Sequence, residues 1–229
     1  MIKAVFLDLG NTLIPMDCYS NIEQDVEYPF WKRKGYKGTL EQFKQLKAGT
    51  KVQFMKKAFR HSEDKHMWTK LIAMEALGCC PDDEIIADCW KLTKNYYVKK
   101  AKLRDGTLKL LEYLKLKKMK IALISNNWSD VASEAINYLD IRKYFHNIII
   151  SEDVGAVKSE LKPFVVAIEK SALKPEECLM VGDDKEDSFS KNLGIHFVLL
   201  NAHSNNLNVD YDYKITDLLE VKKIVEGIA

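Results

Sequence analysis

No stretch of this sequence approaches the roughly 18 uninterrupted apolar residues that a membrane-spanning helix needs. Nothing at its start has the layout of a secretion signal, since Met1 leads almost directly into the apolar stretch Ala4-Val5-Phe6-Leu7. An excess of one charge is missing too: 35 Lys and Arg face 33 Asp and Glu, for a net charge of +2. The basic residues are scattered among acidic ones, and the densest run, Lys115 to Lys120, falls where a helix gives way to a strand. That distribution is not the footprint of a nucleic-acid-binding or anionic-membrane surface, and neither partner is expected. Cysteines are few, odd in number and irregularly spaced, at Cys18, Cys79, Cys80, Cys89 and Cys178. Reduced thiols in a cytoplasmic setting are therefore expected in place of a disulfide frame. His61, His66, Cys79 and Cys80 lack the paired spacing of a tetrahedral zinc site. Internal repeats and low-complexity tracts are also missing.

What the chain does contain, from about residue 103 onward, is a regular alternation of helical and strand patterns. Leu108, Leu110, Leu111, Leu114 and Leu116 form a helical stripe, and Val131 to Leu139, Phe164 to Ala172 and Leu218 to Val225 read as further helices. Between them stand short apolar runs: Ile121 to Ile124, Ile148 to Ile150, Cys178 to Val181 and Phe197 to Leu200. Continuous apolar runs of this length suit strands buried on both faces of a parallel sheet. With Ala4 to Leu7 they predict a Rossmann-like three-layer α/β/α core of about five strands joined by right-handed βαβ units. Residues 16–100 break the rhythm: aromatic and aliphatic residues recur there at helical spacing, with Gly49, Gly78 and Pro81 as punctuation. About 85 residues are too many for a loop, so they are expected to form an inserted all-helical domain. The core domain is then 1–15 together with 101–229.

In an open parallel sheet, ligands bind outside the carboxyl ends of the strands. Those ends carry a consistent set of groups. The first strand delivers Asp8, the second Ser125-Asn126-Asn127, and the fourth Gly182-Asp183-Asp184-Lys185-Glu186-Asp187. After the third comes Glu152 to Lys158, which brings a lysine to the head of a helix. Taken singly, an aspartate at a strand end is a helix cap and a Ser-Asn pair is turn chemistry. Together they place several carboxylates in one pocket, where mutual repulsion calls for a cation. Hard oxygen ligands of this kind suit Mg²⁺ shared with a phosphate, with Lys158 and the Ser125 hydroxyl facing the phosphoryl oxygens.

These segments, FLDLGNTL, IALISNN, SEDVGAVKSELKPF and MVGDDKED, resemble in order and spacing the four motifs of the haloacid dehalogenase superfamily. The matching group carries a helical cap domain after the first strand. The resemblance implies a hydrolase in which Asp8 is the nucleophile and forms an aspartyl-phosphate that water then cleaves. It implies Mg²⁺ held by Asp8, the backbone carbonyl of Gly10 and Asp183, with Asp187 close behind. Ser125 and Lys158 would hold the transferring group, and Thr12 and Asn126 would contact the substrate, a small phosphorylated or halogenated organic molecule.

One position departs from the pattern. The phosphatase form of the first motif carries a second Asp, a general acid and base, where this sequence has Gly10. A main-chain carbonyl is retained by glycine, whereas the proton carrier is lost, which costs roughly 10²- to 10⁴-fold for a poor leaving group. His61, His66 and Asp17 are candidates to replace it. Two alternatives remain open at this level. A 2-haloacid dehalogenase would use Asp8 on carbon without metal, although such enzymes usually carry Tyr at position 10 and lack the dense acidic fourth motif. A non-catalytic scaffold binding a phosphorylated ligand or a protein partner would also account for Gly10.

Overall fold

The computed structural model describes residues 1–54, 62–201 and 208–227. The chain divides into two compact units, Met1–Met16 with Lys102–Ala229, and Asp17–Ala101.

The first unit is built on a six-stranded sheet in the order β3-β2-β1-β4-β5-β6. The strands are β1 (Ala4–Leu7), β2 (Lys120–Ser125), β3 (Asn147–Ile150), β4 (Cys178–Gly182), β5 (His196–Leu200) and β6 (Tyr213–Ile215). All neighbours are parallel. β1 lies at the centre, and its four residues are fully buried. Side chains alternate across the sheet. Ala4 and Phe6 therefore share one face with Ala122, Ile124, Cys178 and Met180, packed against Phe164 and Ala167 of the helix Lys162–Ser171. The helix Thr107–Leu116 buries Leu110, Leu111 and Leu114 completely and contacts β2. Five of the strands coincide with the apolar runs in the sequence. The sixth, Tyr213–Ile215, is a three-residue edge strand with an exposed Lys214 in the middle, too short and polar to register as an apolar run.

Register aligns the strand exits. Leu7 is opposite both Leu123 and Val181. The next residues, Asp8, Ile124 and Gly182, therefore stand side by side at the carboxyl edge, where β2 ends one residue later at Ser125. Among the described residues no helix is long and apolar enough to cross a membrane, and all five cysteines are free.

The second unit contains only helices among its described residues, the longest being Leu40–Phe54, Ser62–Leu77 and Asp83–Lys100. Its core is aromatic: Phe30, Trp31, Tyr36 and Phe43 cluster with Ile72, Ile86 and Cys89. Trp90 is buried here as well, and Tyr97 meets Tyr19 edge-on with ring centres 4.9 Å apart.

Buried within this helical unit is an ionic cluster. Lys47 is 6 % exposed and donates to the 5 %-exposed Glu27, and to Glu23 at 2.9 Å. Its ammonium lies 5.3 Å from the centre of the Trp68 ring. Burial pushes the Glu27 carboxyl above its ordinary range despite the attraction of Lys47. Burial also works against the ammonium, but Glu27, Tyr97 and Glu23 outweigh it and raise its pKa. Removing one partner of such a pair leaves a charge stranded in the interior. Lys47→Met is therefore expected to destabilise the protein by about 3 kcal/mol in urea unfolding, and adding Glu27→Gln to restore most of that loss.

Candidate active site

Asp8 leaves β1 with its N–H donating to the Val181 carbonyl at 3.0 Å, so the first and fourth strands remain tied past the last paired residue. The chain then folds back tightly. Leu13 and Ile14 N–H groups donate to the Leu9 carbonyl at 3.0 and 2.9 Å, and Asn11 adopts a left-handed conformation at φ 53°, which its short polar side chain tolerates. Arg104 secures this turn from outside. Its guanidinium donates to the carbonyls of Thr12 at 3.0 Å and Asn11 at 2.5 Å, and its own N–H reaches the Leu13 carbonyl at 2.8 Å. In the sequence Arg104 stands only as a charged residue ahead of the helical stripe that begins at Leu108.

Lys158 sits in a short 3₁₀ turn, Lys158–Glu160, with its side chain 3 % exposed. Its ammonium donates to Asp8 Oδ1 and to Asp187 Oδ1, each at 2.5 Å. Asp187 is completely buried. Its second oxygen accepts the N–H groups of Asp183 at 3.1 Å and Asp184 at 3.3 Å. A Cβ on Gly182 would fall inside that carboxylate, which explains the glycine at the end of β4. Asp184 caps the next helix, Lys185–Ser188, accepting the N–H groups of Glu186 and Asp187 at 2.8 and 3.1 Å.

Carboxylate oxygens of Asp8, Asp183 and Asp187 all lie within 4.8 Å of one another. Burial raises the Asp8 pKa in spite of the Lys158 ammonium beside it. Burial, reinforced by Asp8 and Asp184, pushes the Asp183 carboxyl up to about 7. Asp187 is raised well above its ordinary value, again chiefly by burial. Burial also opposes the Lys158 charge, but Asp187, Asp8 and Asp184 outweigh it and raise its pKa. One buried ammonium therefore faces more carboxylates than it can neutralise. The surplus negative charge, and the convergence of three oxygen donors from two strand exits, fit a divalent hard cation.

The sequence candidates are thus distributed as follows. Asp8, Lys158, Asp183 and Asp187 come together. Ser125 ends β2 and is buried at 4 % exposure. Thr12 is fully buried, and its hydroxyl has no hydrogen-bond partner among the described residues. Asn126 has both ends of its amide engaged: Oδ1 accepts the Lys158 N–H at 3.0 Å, and Nδ2 donates to Glu186. Asp17 and His66 are exposed residues of the helical unit, and His61 lies outside the described residues.

Fold and site together define a doubly wound α/β protein with a lysine-bridged cluster of aspartates at the carboxyl edge of its sheet. The chain belongs to the haloacid dehalogenase-like hydrolase family, whose model matches residues 8–200. Over 244 aligned residues it is 23 % identical to glyceraldehyde 3-phosphate phosphatase of Methanothermobacter thermautotrophicus, covering 98 % of this chain and 100 % of that one. Among solved structures, YfnB from Bacillus subtilis bound to magnesium superimposes with a TM-score of 0.73 at 17 % identity, over 98 % of both chains. The 2-haloacid dehalogenase from Pseudomonas syringae pv. Tomato DC3000 gives the same TM-score, 0.73, at 17 % identity over 100 % of both. The likeness in fold therefore does not choose between attack on phosphorus and attack on carbon.

Proposed function

We propose that this protein is a Mg²⁺-dependent phosphohydrolase acting through a covalent intermediate on Asp8. The observation that carries the reading is the grouping of Asp8, Asp183 and Asp187, with the Lys158 ammonium bridging Asp8 and Asp187. The phosphatase name of the Methanothermobacter relative supports it. So does electrostatics: a cluster of uncompensated carboxylates repels the carboxylate of a 2-haloacid, whereas a phosphate ester arrives with its metal.

In this reading the Asp8 carboxylate attacks phosphorus, the new carboxyl oxygen–phosphorus bond forms, and the bond to the leaving alkoxide breaks. Water then attacks the same phosphorus, inorganic phosphate departs, and the Asp8 carboxylate is regenerated. Lys158 orients Asp8 by its hydrogen bond to Oδ1 and offsets charge that builds on the phosphoryl oxygens. Ser125 and Thr12, whose hydroxyl has no hydrogen-bond partner among the described residues, would donate to those oxygens. Mg²⁺, held by Asp8, the Gly10 carbonyl and Asp183 with Asp187 behind, would supply the charge that lets an anionic nucleophile approach an anionic phosphate.

The test is an assay of p-nitrophenyl phosphate and acetyl phosphate with Mg²⁺ and with EDTA. Phosphate release is expected with the metal and should vanish on chelation. Metal-independent chloride release from 2-chloropropionate would replace this reading with the dehalogenase. Retained Mg²⁺ binding without turnover of any substrate would replace it with the non-catalytic scaffold.

A further inference from the structure

We infer that Glu186 is a positioning residue for Lys158, acting through the side-chain amide of Asn126; the inference rests on the reading of Lys158 as part of the catalytic centre.

Asp8, Ser125 and Gly182 are held by the register of the sheet, because each belongs to or directly follows a paired strand residue. Lys158 has no such support. It lies beyond β3 and the short helix Ser151–Val154, in a segment entered through Gly155 at φ 69° and left through Leu161 at φ 64°. A leucine in the left-handed region is disfavoured and persists only where its surroundings hold it. The bond that ties this segment to the sheet at the lysine itself is Lys158 N–H to Asn126 Oδ1, 3.0 Å, and Asn126 directly follows the last residue of β2.

A primary amide can face either way round, and only one way works here. With Nδ2 toward Glu186, Oδ1 accepts from Lys158. Turned over, the amide would set oxygen against the Glu186 carboxylate and N–H against N–H. The Glu186 carboxylate thus selects the orientation that seats the lysine backbone. Glu186 is itself placed by its N–H donating to Asp184 Oδ1 at 2.8 Å, in the short helix that also carries Asp187 and directly follows Asp183 and Asp184. Three loops are joined through one side chain, and the free end of Lys158 then meets Asp8 and Asp187.

The experiment uses the full chain and p-nitrophenyl phosphate with Mg²⁺. Glu186→Ala is expected to lower kcat about tenfold with little change in KM. Glu186→Gln, whose amide oxygen still accepts from Asn126, should stay within about twofold of wild type. In the Asn126→Ala background, Glu186→Ala should cost nothing further. An independent readout is the rate at which Lys158 is acylated by acetic anhydride, followed by peptide mass spectrometry. It should rise in Glu186→Ala and Asn126→Ala and remain slow in wild type and Glu186→Gln. Additive kinetic losses, failure of Gln to substitute for Glu, or unchanged Lys158 labelling would each overturn the inference. Should wild type turn over no phosphate, the catalytic reading fails, and the labelling comparison still decides the strut.

Discussion

Asp8→Asn is expected to lower phosphate release by about 10⁴-fold, to background, while the protein remains folded. Asparagine has the shape of aspartate, and its Oδ1 can still accept from the Lys158 ammonium that now donates to Asp8. The backbone bond from residue 8 to Val181 is unaffected, so the sheet register is kept. What disappears is the nucleophile, since an amide oxygen does not form a stable bond to phosphorus. Two measurements check this together. Circular dichroism and thermal melting should match wild type, and acid-quenched reactions should yield a peptide phosphorylated at residue 8 in wild type and none in the variant. Turnover by Asp8→Asn within tenfold of wild type would remove the covalent mechanism.

Gly10→Asp is expected to work in the opposite direction, raising turnover of alkyl phosphates by about 10²-fold. The local geometry permits the change. Gly10 does not adopt a left-handed conformation, and a Cβ there would lie 3.5 Å from Met16 Sδ, an ordinary van der Waals contact. A carboxyl group at this position would supply the proton that an alkoxide leaving group needs, then accept one from the attacking water. Acyl and aryl phosphates leave as stable anions and should gain far less. The informative quantity is the dependence of rate on leaving-group pKa, steep in wild type and shallow in the variant. Equal dependence in both would mean that another residue already carries the proton.

Strands buried on both faces read as unbroken apolar runs, so five of the six strands were legible within a residue or so of their ends. The site was legible for the same reason: register carries strand ends to one edge, and a sequence that places charged residues there announces a centre. Three features were hidden. β6 is paired through only three residues and lies at the sheet margin. Arg104 looks like any charged residue before a helix, and its role appears only when the turn at Asn11 and Thr12 folds against it. Glu23 and Glu27 have the four-residue spacing of a solvated helix face, yet Lys47, distant in sequence, draws them into an interior ion cluster. For Arg104 and the Lys47 cluster the missing information was a contact between separate segments; for β6 it was the shortness and polarity of the strand itself.

The central place of β1 also has a kinetic consequence. Ala4 pairs with Lys120 on one side and Cys178 on the other, so during synthesis the first of these six strands to emerge waits for β4 before both its neighbours exist. Until the β4 segment has been made, an all-apolar tetrapeptide waits without its second permanent partner, and closing loops of that length slows assembly. The helical unit, encoded between β1 and β2, makes its internal contacts within residues 17–101 and can be complete before the sheet begins to close.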